Sequence, residues 1–344
     1  MELTEQTIQE CLAARKQCVL FNHPNRGVIE VRGSDGVQFL HNILSNDIKC
    51  LSSGRGTSAC FLNAQAKLIA HMNVLRFDQF LWLAFDYTLK DKLLDALKHL
   101  IITEQVELVD RSEELKLISL HGPQAKQLLK AVSKQDELNE LLSHRTAMID
   151  GIPTVVIRIN LTGEIGYGFL IPKNDAVRVQ AALEQNGSTL ELMHIQALAM
   201  EILRIEAGIP RYGTDFDELY IPLEAGLDKA VSFRKGCFPG QEILARLASG
   251  IRGRSDQTSW AESVSDFRYR CLTSTHQKVI RGVRSDRDCC VSAPFHSRST
   301  CGVKRKHFDA SRNLDVSNFN HHWTSDGPTL LFKITHRDYL LKRR

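Results

Sequence analysis

Lys235-Gly236-Cys237-Phe238-Pro239-Gly240-Gln241-Glu242 is the stretch from which the fold is read. Gly236 and Gly240 open backbone conformations closed to other residues, and Pro239 stiffens the bend. Residues 241–247 have the pattern of a helix start. The expectation is a tight loop that holds Cys237 just ahead of a helix N-terminus, two residues from Lys235. An ammonium and a helix N-terminus both favour thiolate, the reactive form of cysteine. Two readings of Cys237 stay open: a reactive thiol, or a buried structural cysteine in a Gly-rich turn.

Upstream of this loop the pattern alternates between two periods. Residues 28–31 predict a strand, and Ser34 is placed to cap a helix with Val37, Leu40, Ile43 and Leu44 on one face. Residues 59–62, 68–75 and 80–85 predict successive strands. Thr88 is placed to cap a helix over 89–100. Residues 106–110 and 115–120 are strand-like, and Pro123 suits the first turn of a short helix. Residues 155–161 and 167–171 predict a hairpin joined by Thr162-Gly163-Glu164-Ile165-Gly166. A helix over 175–184 and a longer one over 190–207, closed by Gly208 and Pro210, complete the body. Strands and helices mix without strict alternation, which points to α+β.

Beyond about Gly253 sustained periodicity stops. Only residues 279–283 and 329–334 suggest short strands. Residues 254–344 hold 17 Lys/Arg against 9 Asp/Glu, so the body is net acidic although the whole chain carries +4. A general nucleic-acid-binding surface is therefore not supported in the body. The tail reads as a poorly ordered basic segment or as one translated out of its ancestral frame. The nine cysteines are scattered without a CxxC, so reduced thiols are expected. No apolar run is long enough to span a bilayer. Met1-Glu2-Leu3-Thr4-Glu5 is acidic and lacks an apolar core. The expected location is cytoplasmic, or the mitochondrial matrix in a eukaryote.

The octapeptide resembles the Lys-Gly-Cys-x-x-Gly-Gln-Glu signature of YgfZ-type folate-binding proteins, relatives of the glycine-cleavage aminomethyltransferase (T-protein, GcvT). Four more segments resemble the family in order: His121-Gly122-Pro123-Gln124-Ala125; Thr162-Gly163-Glu164 with Gly166-Tyr167; Arg204-Ile205-Glu206-Ala207-Gly208-Ile209-Pro210 with Tyr212-Gly213-Thr214-Asp215; and Pro222-Leu223-Glu224-Ala225-Gly226-Leu227-Asp228. The resemblance covers about residues 25–250.

It implies a GcvT/YgfZ-like fold of layered, ferredoxin-like subdomains over residues 1–253, with tetrahydrofolate or a folate derivative as cofactor. A C-terminal β-barrel is expected in the family, and no barrel strands can be matched in residues 254–344. It implies cofactor-binding roles for Glu164, Arg204, Asn63 and Tyr212, with Glu164 holding the pterin. It makes Cys237 the candidate reactive group and Lys235 its tuner. Read without the family, Arg204 is an i,i+3 partner of Glu201, and Tyr212 and Tyr167 are core aromatics.

One departure stands out. Where aminomethyltransferases carry a carboxylate beside the folate nitrogen, this chain has Ala70 and His71. The resemblance therefore implies an accessory role in iron–sulfur cluster assembly or repair, serving enzymes such as those that modify tRNA. Iron–sulfur client or assembly proteins would be its partners, with no direct nucleic-acid or membrane contact. The alternatives are a tetrahydrofolate-dependent aminomethyl- or methyltransferase, which would be an enzyme, and a non-functional relative.

Overall fold

The computed structural model describes residues 4–253. The expected tail strands and Cys271, Cys289, Cys290 and Cys301 lie outside them, as does any barrel. Alternation of apolar residues builds two sheets. The five-stranded sheet is formed by β2 (Arg26–Arg32), β3 (Arg55–Leu62), β4 (Leu68–Arg76), β5 (Phe80–Asp86) and β6 (Glu107–Asp110). Its order is β3-β4-β5-β2-β6, antiparallel throughout. The six-stranded sheet takes β1 (Val19–Asn22), β7 (Leu115–His121), β8 (His144–Ile149), β9 (Ile152–Ile159), β10 (Gly166–Pro172) and β11 (Met193–His194), in the order β11-β1-β7-β10-β9-β8. Its strands thus come from both sides of the five-stranded unit in sequence.

Each sheet buries one face under two helices. Alternate residues Ala59, Phe61, Ala70, Met72, Val74, Leu83 and Phe85 meet Phe39 and Leu40 of α2 (Gly36–Ile43) and Leu93 and Leu97 of α3 (Lys90–Leu100). The six-stranded sheet packs Ile118, Leu120, Tyr167 and Phe169 on α4 (Ala125–Ser133) and α5 (Ala176–Gly187). The sheets then meet through Val28, Leu75 and Trp82 on one side and Ile157, Ile159 and Leu170 on the other. Against the β1 end lie α1 (Glu5–Lys16) and α6 (Ala197–Glu206), which contribute Ala13, Ala14, Ala199 and Leu203. The architecture is the α+β class expected from the sequence.

Several local expectations are corrected. Ser34 does not cap α2; its hydroxyl donates to Gln105 at 3.1 Å, and Asp35 occupies the cap position. Nor does Thr88 cap the next helix. Its backbone N–H and hydroxyl donate to the Asp86 carboxylate, which caps a 3-10 turn ahead of α3. The helix expected over 190–207 begins only at Ala197, because residues 193–194 pair in parallel with β1. Main-chain pairing beside β1 satisfies that segment, where a longer helix would leave the sheet edge open.

The octapeptide loop closes onto the β3–β4 turn and opens α7 (Gln241–Gly253). Gly240 has φ +78°, and a Cβ there would meet the Ala66 Cα at 2.6 Å and the Asn63 carbonyl oxygen at 2.9 Å. Both backbone and space therefore demand glycine. Gly240→Ala is expected to lower stability by about 2 kcal/mol or more. A urea titration of the full chain would read this as a lower midpoint, and an unchanged midpoint would contradict the close approach.

Candidate functional site

The second face of the five-stranded sheet positions the site. At one end Val28, Leu75 and Trp82 lie under the six-stranded sheet. At the other end Cys60 and Leu62 lie under residues 216–244, through Phe216, Ile221, Leu227 and Phe238. Between these covers the face carries Ser58, His71, Asn73, Asp86 and Arg26, all partly exposed. Register aligns them: Cys60 pairs with His71, Arg26 pairs with Asp86, and the pairing of Met72 with Phe85 brings His71 level with Asp86. Cross-strand neighbours on one face stand about 5 Å apart.

His71 Nε2 is 2.7 Å from Ser58 Oγ, and the ring lies edge-on to Phe216 with centroids 6.2 Å apart. Burial and the nearby Arg26 cation pull its pKa down to about 4, so the imidazole is neutral near pH 7. Ala70, the other position where relatives were expected to carry a carboxylate, points into the helix-covered core and is fully buried. Only position 71 faces the site. Asp86 supplies a carboxylate one strand away, with Oδ1 accepting from Thr88.

From the six-stranded sheet comes a buried polar chain. Ser119 Oγ lies 2.7 Å from His23 Nε2 and 2.8 Å from His121 Nε2. Desolvation pulls the His121 pKa to about 3 and holds His23 well below its ordinary value, with Arg26 among the cations acting on His23.

The expected site residues fall in four places. Arg204 is buried and makes four hydrogen bonds: two to Glu201, one to Asp215 at 2.6 Å, and one to the Ile209 carbonyl. Arg211 adds an ion pair to Glu201 at 3.0 Å. The i,i+3 pair read from the sequence is present, inside a wider clasp that fixes residues 209–215. Most of the guanidinium's five donors are spent there. That clasp holds Tyr212 against Phe216, edge-on at 5.6 Å, beside His71. Burial pushes the Tyr212 hydroxyl up to about 12. Tyr167, by contrast, is a core residue.

Asn63 is used by the β3–β4 turn. Its Oδ1 accepts from the N–H groups of Gln65 and Lys67, each at 2.9 Å. Among the described residues the amide N–H₂ makes no hydrogen bond. Glu164 is half-buried on the β9–β10 turn. Among the described residues its carboxylate makes no hydrogen bond or ion pair, and burial raises its pKa against the pull of Arg15.

Lys235 and Cys237 point to different surroundings. The Lys235 ammonium is buried and donates to the carbonyls of His41 and Leu44, at the C-terminal end of α2, where a cation is favoured. Its Nζ also lies 4.9 Å from the centre of the Phe238 ring. Burial pulls its pKa down to about 8. Cys237 is exposed on the surface of the same loop. The buried-cysteine reading is thereby corrected, because the anchor of this loop is Lys235. Among the described residues, no group of three or more His, Cys, Asp or Glu is arranged to hold a metal ion.

Sequence reading missed Arg26, Asn73, Asp86 and Arg211. The available signal was polar residues at alternate positions of otherwise apolar strands, on the face away from the helices. A groove of about 490 Å³ lies elsewhere, lined by Phe77, Phe80 and His144. Its rings mainly pack on one another, Phe77 with Phe80 at 4.6 Å and with His144 at 4.5 Å.

Fold and site together define an α+β protein with a partly exposed polar row between two covers on one sheet face. Residues 1–235 match the family described as GCVT N-terminal domain, and the chain belongs to that family. It is 30% identical over 249 residues to an aminomethyltransferase of Symbiobacterium thermophilum, covering 70% of this chain and 66% of that one. A mitochondrial aminomethyltransferase of Dictyostelium discoideum is 29% identical, covering 70% and 63%. The crystal structure of the glycine cleavage system aminomethyltransferase T from Bartonella henselae shares the fold, with a TM-score of 0.62 and 23% identity over 71% of this chain and 66% of that chain. The chain thus spans about two thirds of the length of these relatives. Among the described residues no helix is long and apolar enough to cross a membrane.

The neutral histidines fix a pH dependence. The unfolded chain takes up protons near pH 6.5 that folded His23, His71 and His121 refuse. Their contribution is fully present above that pH. It is lost as pH falls toward about 4 for His71 and about 3 for His121. Each can steepen the loss by up to about 1.4 kcal/mol per pH unit. Denaturant midpoints at pH 7.5, 6 and 5 should fall progressively; equal midpoints would show that these rings are charged in the folded protein.

Proposed function

We propose that this chain binds tetrahydrofolate, or a folate derivative, on the polar row between the two covers, and that it serves tetrahydrofolate-dependent one-carbon transfer of the aminomethyltransferase kind. The observation that carries the reading is a set of recognition groups without partners in a protein of this family. The Glu164 carboxylate and Asn73 amide lack hydrogen-bond partners among the described residues, and a neutral His71 stands on the same sheet face as Asn73. A pterin offers an amino group and ring N–H to a carboxylate, and aromatic area to the half-buried Tyr212. When bound, tetrahydrofolate would supply the nitrogen that accepts the one-carbon unit.

The residues' own work is binding and proton handling. Glu164 holds the donor edge of the ring. The clasp around Arg204 keeps Tyr212 and Phe216 in place. His71, neutral and oriented by Ser58, takes or gives a proton at a ring nitrogen. Asp86, level with His71, supplies the negative charge that position 71 does not.

A second reading retains the YgfZ-type subgroup: a folate-binding accessory factor for iron–sulfur proteins, with client or assembly proteins as partners. The observation favouring it is the exposed thiol of Cys237 on a loop anchored by Lys235, together with the imidazole at position 71. The names of the relatives favour the transferase.

Tetrahydrofolate titration followed by protein fluorescence tests the shared core of both readings. Wild type should bind. Glu164→Ala should weaken binding about 10-fold or more, the loss of a charge-assisted hydrogen bond, while Cys237→Ala binds unchanged. Equal binding by Glu164→Ala and wild type would remove Glu164 from the site. Tetrahydrofolate-dependent release of ammonia from an aminomethyl donor separates the readings: the transferase releases it and the accessory factor does not.

A further inference from the structure

Arg26 is the unexplained group on the polar face. It stands at the first position of β2, paired across the strands with Asp86. It is only partly exposed, yet makes no hydrogen bond, and no ion pair within 4 Å, among the described residues. A guanidinium has five N–H donors in a rigid fork and stays charged. Its nitrogens keep contact with solvent, so these donors are open to water or to the acceptors of a ligand.

Its surroundings narrow what that partner is. Asp86 acts on Arg26 electrostatically across the strand pair and partly offsets its charge. A second full negative charge is therefore not required, and Asp86 would repel one. His71 and His23, which both feel the Arg26 cation, are held neutral. Arg211 also acts on Arg26 but is itself tied to Glu201. The fitting occupant is a neutral ring with an acceptor edge, close to the half-buried Tyr212, which packs edge-on against Phe216.

Resting on the folate reading above, we propose that Arg26 is a ligand-binding residue that donates its N–H bonds to the carbonyl oxygen on the acceptor edge of the pteridine ring. A donor-only fork suits that edge as a carboxylate suits the opposite, donor edge. The alternative source of acceptors in the same ligand is the carboxylates of its glutamyl tail.

Calorimetric titrations of the full chain separate these sources. The ligands are tetrahydrofolate, pteroic acid, which lacks the glutamate, and p-aminobenzoylglutamate, which lacks the ring. Wild type, Arg26→Gln and Arg26→Lys are compared, each with its thermal midpoint. Arg26→Gln should weaken tetrahydrofolate and pteroic acid by about 10-fold or more, with p-aminobenzoylglutamate changed by less than about 2-fold. Arg26→Lys should stay weakened, since a point charge does not reproduce the fork. The thermal midpoint of Arg26→Gln should hold or rise, because a half-buried charge without a hydrogen-bond partner is removed. Unchanged pteroic acid binding in Arg26→Gln overturns the proposal. So does an equal loss for p-aminobenzoylglutamate, which assigns Arg26 to the tail, or a lowered midpoint, which makes it structural. If wild type binds none of the three, the folate reading itself fails and this proposal falls with it.

Discussion

The site depends on one strand register. Pairing Arg26 with Asp86, and Met72 with Phe85, puts Arg26, Asp86 and His71 side by side on the face away from α2 and α3. A slip of one residue in β4 would turn His71 into the core and Ala70 and Met72 toward solvent. The apolar face forbids that slip, because Ala70, Met72 and Val74 are nearly or fully buried against the helices. Core packing thereby fixes the chemistry of the opposite face without touching it.

Two covers turn that face into a site. The six-stranded sheet buries Val28, Leu75 and Trp82, and the segment ending in the octapeptide loop buries Cys60 and Leu62. The second cover is held by polar contacts as much as by apolar area. Lys235 closes on the last carbonyls of α2, the Arg204 clasp fixes residues 209–215, and Gly240 lets the loop pass Ala66 where a Cβ would clash. The octapeptide is thus explained first as an anchoring device. Its exposed thiol is a separate property of the same loop.

How much of this was legible in the sequence varies by residue. The β9–β10 hairpin with Glu164 at its turn was readable, because period-2 runs flank glycines. So were the strands that build the five-stranded sheet. The true caps were not, since Ser34 and Asp35, or Asp86 and Thr88, are equally good capping types and only tertiary contacts choose between them. Residues 193–194 looked helical because a two-residue strand is defined by its partner β1, not by its own pattern. Arg204 was readable as a partner of Glu201, but Asp215 joins it only in space. Arg26 carried no local motif at all; its meaning comes from the strand beside it and from the groups it does not meet.

The most direct test of the account is a crystal structure of the protein grown with tetrahydrofolate or a stable reduced analogue. The account predicts the pteridine ring on the polar row, within hydrogen-bond reach of Arg26 and His71, with Tyr212 and Phe216 beside it. A ring bound instead in the groove lined by Phe77, Phe80 and His144, with the polar row left to solvent, would contradict it.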